Sequence, residues 1–398
     1  MSTGTVPPSA GGGRSHLLAF AALSASYFAH IGFFNPYLPL WLKDQGLPIF
    51  TISLLAAVQS FTRVFAPYAW GALSDHTGER VRLLRISAAI ALSVSFGLWF
   101  QGGAWWIALV LLLLFTHTSS MMGLTEAAMA QLVAGDWGRY GRIRLWGSAG
   151  FLVTVFAAGE WFERFGMRHF PMWAGATLAL VLLAAWRLPD LREPPAVTQQ
   201  EREPVGPVLR QPAVRWFLLS LCLHVTGHFA VYAFLSLYLD SLGYSKGMIG
   251  VLWAVSVVAE IVWFFGQGRF IPRWPMPRWL VICGAVGVLR MAFTAGGGAW
   301  LWVIFVAQGL HALSFAAHHT TCIALVSRYF PGRLRGRGQA LFTVVGYGVG
   351  GVAGVLLGGA IASRFGFATV FAGAALLCAL ATACAWQLER RESPPVLS

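Results

Sequence analysis

About twelve stretches of this chain stay apolar for roughly the twenty residues that cross the hydrocarbon core of a bilayer. They fall near 16–41, 47–73, 81–100, 104–132, 143–163, 170–188, 214–240, 246–271, 278–296, 299–328, 337–363 and 367–388. Lipid offers no partner to an unpaired backbone N–H or C=O, so such segments must be helices or a closed barrel. Their length and their lack of strict alternation exclude the barrel. The composition agrees: 57% of residues are hydrophobic and 11% charged, and the mean hydropathy is +0.66. No soluble domain of this length tolerates that balance. The first stretch begins at His16, after a Gly/Pro/Ser-rich tail, and is too long for a cleaved leader, so it reads as a retained helix. The expected fold class is an all-α integral membrane protein with twelve transmembrane helices.

A net charge of +13 could point to a nucleic-acid partner, but the placement of the cations argues for topology instead. Arg80, Arg82 and Arg85 follow the second segment, and Arg139 and Arg142 precede the fifth. Five arginines from Arg187 to Arg215 separate the sixth and seventh; Arg269, Arg273 and Arg278 follow the eighth; Arg328, Arg333, Arg335 and Arg337 follow the tenth. Arg14, Arg390 and Arg391 mark the ends, whereas the alternate loops hold only Lys43, Arg164, Arg168, Lys246 and Arg364. Cytoplasmic loops collect Lys and Arg, so both termini are expected inside. The five cysteines (Cys222, Cys283, Cys322, Cys378, Cys384) all lie in apolar segments and read as small core residues rather than a disulfide or zinc framework.

The chain repeats itself. A shift of 197 residues lays Tyr37-Leu-Pro-Leu-Trp-Leu on Phe234-Leu-Ser-Leu-Tyr-Leu, and sets Gly46 on Gly243, Ile52 on Ile249, Leu55 on Leu252 and Gly71 on Gly268. The longest polar stretch, Pro189 to Pro212, sits between the two copies. The expected organisation is a cytoplasmic tail at 1–15, a six-helix bundle at 16–188, a linker at 189–213, a second bundle at 214–388 and a tail at 389–398. Repeats of this kind build secondary transporters whose substrate site lies between the halves near the midplane.

Charge deep in a bilayer costs several kcal/mol and marks function by default. Glu126 and Glu260 sit far inside apolar runs, with Arg63, Arg290 and Arg144 at comparable depth. The 197-residue shift places Arg63 on Glu260, so the halves carry opposite charges at equivalent points. The tenth segment carries Gln308, His311, His318, His319 and Cys322 within an arc of about 100° if it is a regular helix, which predicts a polar face lining a cavity. The seventh carries His224, His228 and Tyr232 at fourfold spacing. Imidazoles titrate near neutrality and can relay protons; without acidic or cysteine partners at ligand spacing, no metal is expected. Tyr27, His30, Phe34 and Leu38 share one face of the first segment, toward either a cavity or lipid. Gly346, Gly350, Gly354 and Gly358 recur every fourth residue, a small-residue face for helix packing.

Gly71-Ala-Leu-Ser-Asp75-His-Thr-Gly78-Glu-Arg80-Val-Arg82 resembles the loop signature of the major facilitator superfamily. Gly71 is expected to allow close helix packing, Gly78 a tight turn, and Asp75, Arg80 and Arg82 a latch on the cytoplasmic side. Leu124-Thr-Glu126-Ala, with Tyr140-Gly-Arg142-Ile-Arg144-Leu-Trp-Gly-Ser148, resembles the aromatic-acid (phenylpropionate) permeases and, more distantly, the lactose permease and its oligosaccharide–proton symporter relatives. That resemblance implies two bundles of six helices, with Glu126 and Arg144 binding substrate together. It matches Glu260, Arg290 and His311 to an acid, an arginine and a histidine of those symporters, and His228 and His319 to positions of the phenylpropionate group. Ser314 stands where the sugar permeases carry a proton-binding glutamate, and Phe151 where they carry a sugar-stacking tryptophan.

The reading is a proton-coupled symporter of the inner membrane, a monomer carrying a small organic solute, best an aromatic or other organic acid. The alternatives are a sugar or nucleoside symporter or a proton-coupled exporter. Substrate would be held by Glu126, Arg144, His228, Arg290, His311 and His319, and the proton by Glu260, with Glu126 and His311. Glu260 is the preferred proton carrier, with Arg290 its expected neighbour. No cofactor beyond the proton gradient is implied. A membrane enzyme would need a nucleophile–base pair or metal cluster at one depth, and none is legible.

Overall fold

The structure is a computed structural model that describes residues 10–100, 102–133, 137–190 and 204–392, with the backbone alone at 10–15, 75, 127, 130–133, 137–142 and 333. Asp75's side chain, those of Tyr140 and Arg142, and most of the 189–213 linker lie outside the described residues. Twelve helices are long and apolar enough to span a membrane: α1 His16–Asp44, α2 Ile49–Ser74, α3 Arg80–Trp99, α4 Gly103–Glu126, α5 Ile143–Phe165, α6 Met167–Trp186, α7 Pro212–Ser241, α8 Lys246–Arg273, α9 Met276–Gly297, α10 Leu301–Tyr329, α11 Arg335–Phe365 and α12 Phe367–Glu392. They form two pseudo-symmetric bundles of six helices each.

The repeat is visible in the turns. Gly46 after α1 and Gly243 after α7 both take positive φ, 76° and 86°, where a side chain would be strained. Within each bundle, helices approach closely where side chains are missing. A β-carbon on Gly150 of α5 would run into the Ala25 carbonyl of α1, and one on Gly32 of α1 would come 2.7 Å from the Phe151 carbonyl oxygen of α5. The α11 stripe behaves as its spacing predicts: Gly350, Gly354 and Gly358 lie against Cys222, Thr226 and Phe234 of α7. Helix α7 is the most heavily buried of the twelve.

Glycines also join the bundles to each other. A β-carbon at Gly348 or Gly351 of α11 would stand 2.6 Å from Val64 or Ser60 of α2, and one at Gly250 of α8 2.6 Å from the Val155 carbonyl of α5. The Tyr37 hydroxyl of α1 donates to the Val155 carbonyl at 2.8 Å and reaches the Lys246 carbonyl of α8 at 3.2 Å. Lys43, at the end of α1, pairs with Asp240, at the end of α7, at 2.7 Å; the two residues are 197 apart, which is the period of the repeat. These contacts lie at mid-span or on the side away from the termini.

Charge elsewhere is kept at helix ends. Arg85 of α3 donates to the Ala185 and Leu188 carbonyls at the end of α6 and pairs with Asp190 at 2.6 Å. Glu389 and Glu392 of α12 pair with Arg278 and Arg328, each at 2.7 Å.

Two expectations need correction. Tyr27, His30, Phe34 and Leu38 face neither lipid nor an open cavity; all four are buried inside the first bundle, with His30 Nδ1 2.9 Å from Thr177 Oγ1 of α6. The close packing expected at Gly71 is absent, because a β-carbon there would meet nothing within 4 Å. Gly71 borders a cavity of about 180 Å³ with Ser74, Arg80, Ser120 and Leu124. Gly150→Val should therefore lower the stability of the purified protein by about 1–3 kcal/mol, as overpacking does, whereas Gly71→Ala should change it by less than about 0.5 kcal/mol. Thermal melting in detergent checks both, and equal effects would contradict this account of the packing.

Candidate functional site

Each bundle carries one cluster of embedded charge. In the first, Glu126 lies on the helix that continues from α4 to Val133 and Arg144 on the helix that starts at Trp137 and continues as α5, with Arg144 Nε 3.9 Å from Glu126 Oε1. The guanidinium lies over the Phe28 ring of α1, 4.1 Å from its centroid. Gly147 makes this possible: a β-carbon there would press on Phe28 and stand 3.1 Å from an Arg144 nitrogen. The side chains remain 29% and 36% exposed, so the pair keeps part of its hydration and offers donors and acceptors to a ligand. An arginine fork beside a carboxylate relieves the desolvation of both.

In the second bundle Arg290 of α9 has no exposed surface at all. Its Nε donates to the Ala307 carbonyl at 3.1 Å and its Nη2 to Gln308 Oε1 at 3.2 Å. Nη1 reaches Ser314 Oγ at 3.4 Å and His228 Nδ1 at 3.5 Å. A nitrogen that faces an arginine N–H must present its lone pair, so His228 carries its hydrogen on Nε2. That atom is buried and has no hydrogen-bond partner among the described residues. Gln308 Oε1 also accepts from Ser256 of α8 at 2.7 Å, which ties three helices to one amide.

Glu260 is not a partner of Arg290, contrary to expectation. Glu260 Oε2 lies 3.6 Å from His311 Nε2, and its side chain is 24% exposed. Neutral oxygens, the Ser314 hydroxyl among them, and one imidazole satisfy Arg290 instead. Substrate cannot touch Arg290 or His228, which is 2% exposed, in this conformation. His319 is half-buried and sits 3.3 Å from the Tyr347 hydroxyl of α11. Glu260 lies within electrostatic reach of His319, Tyr232 and Tyr347.

The helical wheel drawn for the tenth segment also fails, for a local reason. Residues Ala312–Ala317 form a π-helical turn, in which hydrogen bonds run i to i+5 and each residue advances less than in an α-helix. Gln308 and His311 before the turn and His318 and Cys322 after it are all buried, and of the five only His319 reaches the partly open side. His224 Nε2 donates to the Ser314 carbonyl inside this turn at 2.7 Å. Its ring stacks on His318 with centroids 3.9 Å apart. A second π segment, Thr343–Gly350 of α11, presents Tyr347. Neither turn has a signature in residue type alone; Tyr347 joins the site through the second of them, and Tyr232 from the regular helix α7.

The loop motif after α2 caps its own helix. Gly78 takes φ 68° and its N–H bonds the Ser74 carbonyl, closing the helix. Arg82 pairs with Glu79 at 2.7 Å, and Arg80 borders the small cavity that reaches Leu124, two residues from Glu126.

Comparison with known proteins supports the same frame. Residues 21–372 match the family described as MFS_1 like. The chain is 29% identical over 357 residues to the "Probable 3-phenylpropionic acid transporter" of Escherichia coli K12, covering 87% of this chain and 88% of that one. It is 26% identical over 352 residues to the maltose permease of Geobacillus stearothermophilus, covering 86% and 87%. Among solved structures, a point mutant of the nucleoside transporter NupG superposes with a TM-score of 0.84 at 16% identity, over 94% of this chain and 99% of that one. A bacterial homologue of the human lysosomal transporter Spinster, inward-facing and unoccupied, gives 0.70 at 13% identity, over 97% and 98%. The chain belongs to the MFS_1-like family and is a membrane transporter of the major facilitator type, not an enzyme.

Proposed function

We infer that the protein is a proton-driven symporter for a small organic acid, an aromatic carboxylate before others. The observation that carries this reading is the pair of embedded clusters, Glu126 with Arg144 in one bundle and Glu260 with His311 in the other. A carboxylate beside an imidazole at mid-span can take up and give away a proton as water gains and loses access. Substrate binds between the bundles, and the proton binds at Glu260 and His311.

Further support comes from the charge balance and the packing. Three embedded arginines face two embedded glutamates, a surplus of one cation that suits an anionic solute. The glycine and Tyr37 contacts join the bundles away from the termini. With the basic loops in the cytoplasm, where Lys and Arg collect, this conformation is closed outward and faces inward. The relative at 29% identity is named for 3-phenylpropionic acid, which belongs to the same chemical class.

Proteoliposomes test the reading directly. Labelled aromatic carboxylates, sugars and nucleosides are offered with and without an inwardly directed proton gradient. The carboxylate should accumulate, and a protonophore should abolish its accumulation. Sodium-dependent uptake that survives the protonophore would overturn proton coupling, and accumulation of a sugar or nucleoside instead would overturn the substrate class.

Two mutational outcomes follow. Glu126→Gln and Arg144→Lys should each weaken substrate binding by roughly tenfold or more while leaving the melting temperature unchanged, since lysine lacks the planar fork of arginine. Normal binding with a lower melting temperature would make the pair structural. Glu260→Gln mimics the protonated acid, so exchange down a gradient should persist while uphill accumulation disappears. Continued accumulation in that variant would move the proton to Glu126 or His311.

A further inference from the structure

Of the three embedded arginines, one remains without an assignment. Arg144 faces Glu126 and lies on Phe28, and Arg290 is sealed by neutral acceptors. Arg63, half-buried at the middle of α2, makes no hydrogen bond or ion pair among the described residues. A guanidinium at that depth is costly unless something meets its donors.

Its position is well defined by its neighbours on α2. Ser60 and Val64 press on Gly351 and Gly348 of α11, and Gln59, one turn before Arg63, donates to Asn35 of α1 at 3.0 Å. Arg63 therefore emerges at the seam between the bundles. Three tyrosines lie within its electrostatic reach: Tyr27 from its own bundle, and Tyr232 and Tyr347 from the other. The Tyr27 hydroxyl is occupied by the Thr118 carbonyl at 3.1 Å, and that of Tyr347 by His319. Tyr232 is half-buried, with its ring stacked on Trp253 and edge-on to His228. Its hydroxyl has no hydrogen-bond partner among the described residues.

An unmatched guanidinium on one bundle and an unmatched phenol on the other, facing the same seam, make a receptor for an anion. We propose that Arg63 and the Tyr232 hydroxyl together hold the carboxylate of the transported acid, bridging the two bundles through the substrate. This rests on the organic-acid reading above. A carboxylate accepts two N–H donors from a guanidinium in a fork and keeps lone pairs for a hydroxyl. Arg144 is a poorer anchor, because an incoming carboxylate would compete there with Glu126. Arg290 has no surface to offer. The ring-bearing remainder of the solute would then lie toward the partly exposed Glu126, Arg144 and Phe28.

The proposal makes a charge-specific prediction. Equilibrium binding of labelled 3-phenylpropionate and of its uncharged amide is measured on the purified full-length protein and on Arg63→Gln, Arg63→Lys and Tyr232→Phe. The wild type should prefer the carboxylate. Arg63→Gln should lose roughly ten- to hundredfold in carboxylate affinity with amide binding little changed, and Tyr232→Phe roughly three- to tenfold. Arg63→Lys should recover part of the loss by charge without the fork. Melting curves monitor folding, and the Tyr232→Phe and Arg63→Lys proteins decide the matter if Arg63→Gln fails to fold. Undiminished carboxylate preference in the Arg63 and Tyr232 variants would overturn the assignment and leave the organic-acid reading standing. A wild type without carboxylate preference would overturn that reading, and the assignment with it.

Discussion

A guanidinium with no access to water has to be solvated by the protein, and the second bundle is arranged around that requirement. Arg290 draws the Ala307 carbonyl, Gln308, Ser314 and His228 toward one point. Those groups come from α7 and α10, and Gln308 recruits Ser256 of α8. Removing one partner of a buried charge costs far more than the contact itself is worth. The hydroxyl of Ser314 and the lone pair of His228 are thus fixed in role as well as in place. Because Arg290 is satisfied by neutral groups, Glu260 is released to face His311 and the seam between the bundles.

The same arrangement shows what can be read from residues alone. Apolar length and loop charge lead directly to twelve helices, because hydrocarbon penalises every other arrangement of the backbone. The Glu126 and Arg144 pair is legible from depth and resemblance, and the α11 glycine stripe from spacing. The neighbours of Arg290 are not legible, because four neutral acceptors leave no charge pattern in a sequence. Nor are the π turns, since one extra residue per turn changes which side chain faces inward without requiring any particular residue. His318 and Cys322 leave the cavity wall on that account. Gly71 has the sequence context of a packing glycine and borders a void instead, while Gly348 and Gly351, outside the stripe, carry the contact between bundles.

Function in such a fold depends on contacts that can be made and broken as whole surfaces. The seams between α5 and α8 and between α2 and α11 are built on glycines set against small groups such as Ser60, Val64 and the Val155 carbonyl, with no interlocking of large side chains at those points. Rigid bundles can then rock with little internal rearrangement, while the polar groups that recognise solute and proton keep their geometry inside each half.

The pairing of Lys43 with Asp240 bears on how this chain came to have two halves. Residues at equivalent points of a repeat meet only on the axis that relates the copies. In a dimer of two identical six-helix chains, the residue on that axis faces its own copy, and a lysine there would face a lysine. Opposite charges at this point are open only to a chain in which the copies are joined and free to diverge. The 2.7 Å contact therefore marks an asymmetry that no homodimeric ancestor could have possessed, and Arg63 opposite Glu260 in the repeat is the same divergence carried into the middle of the membrane.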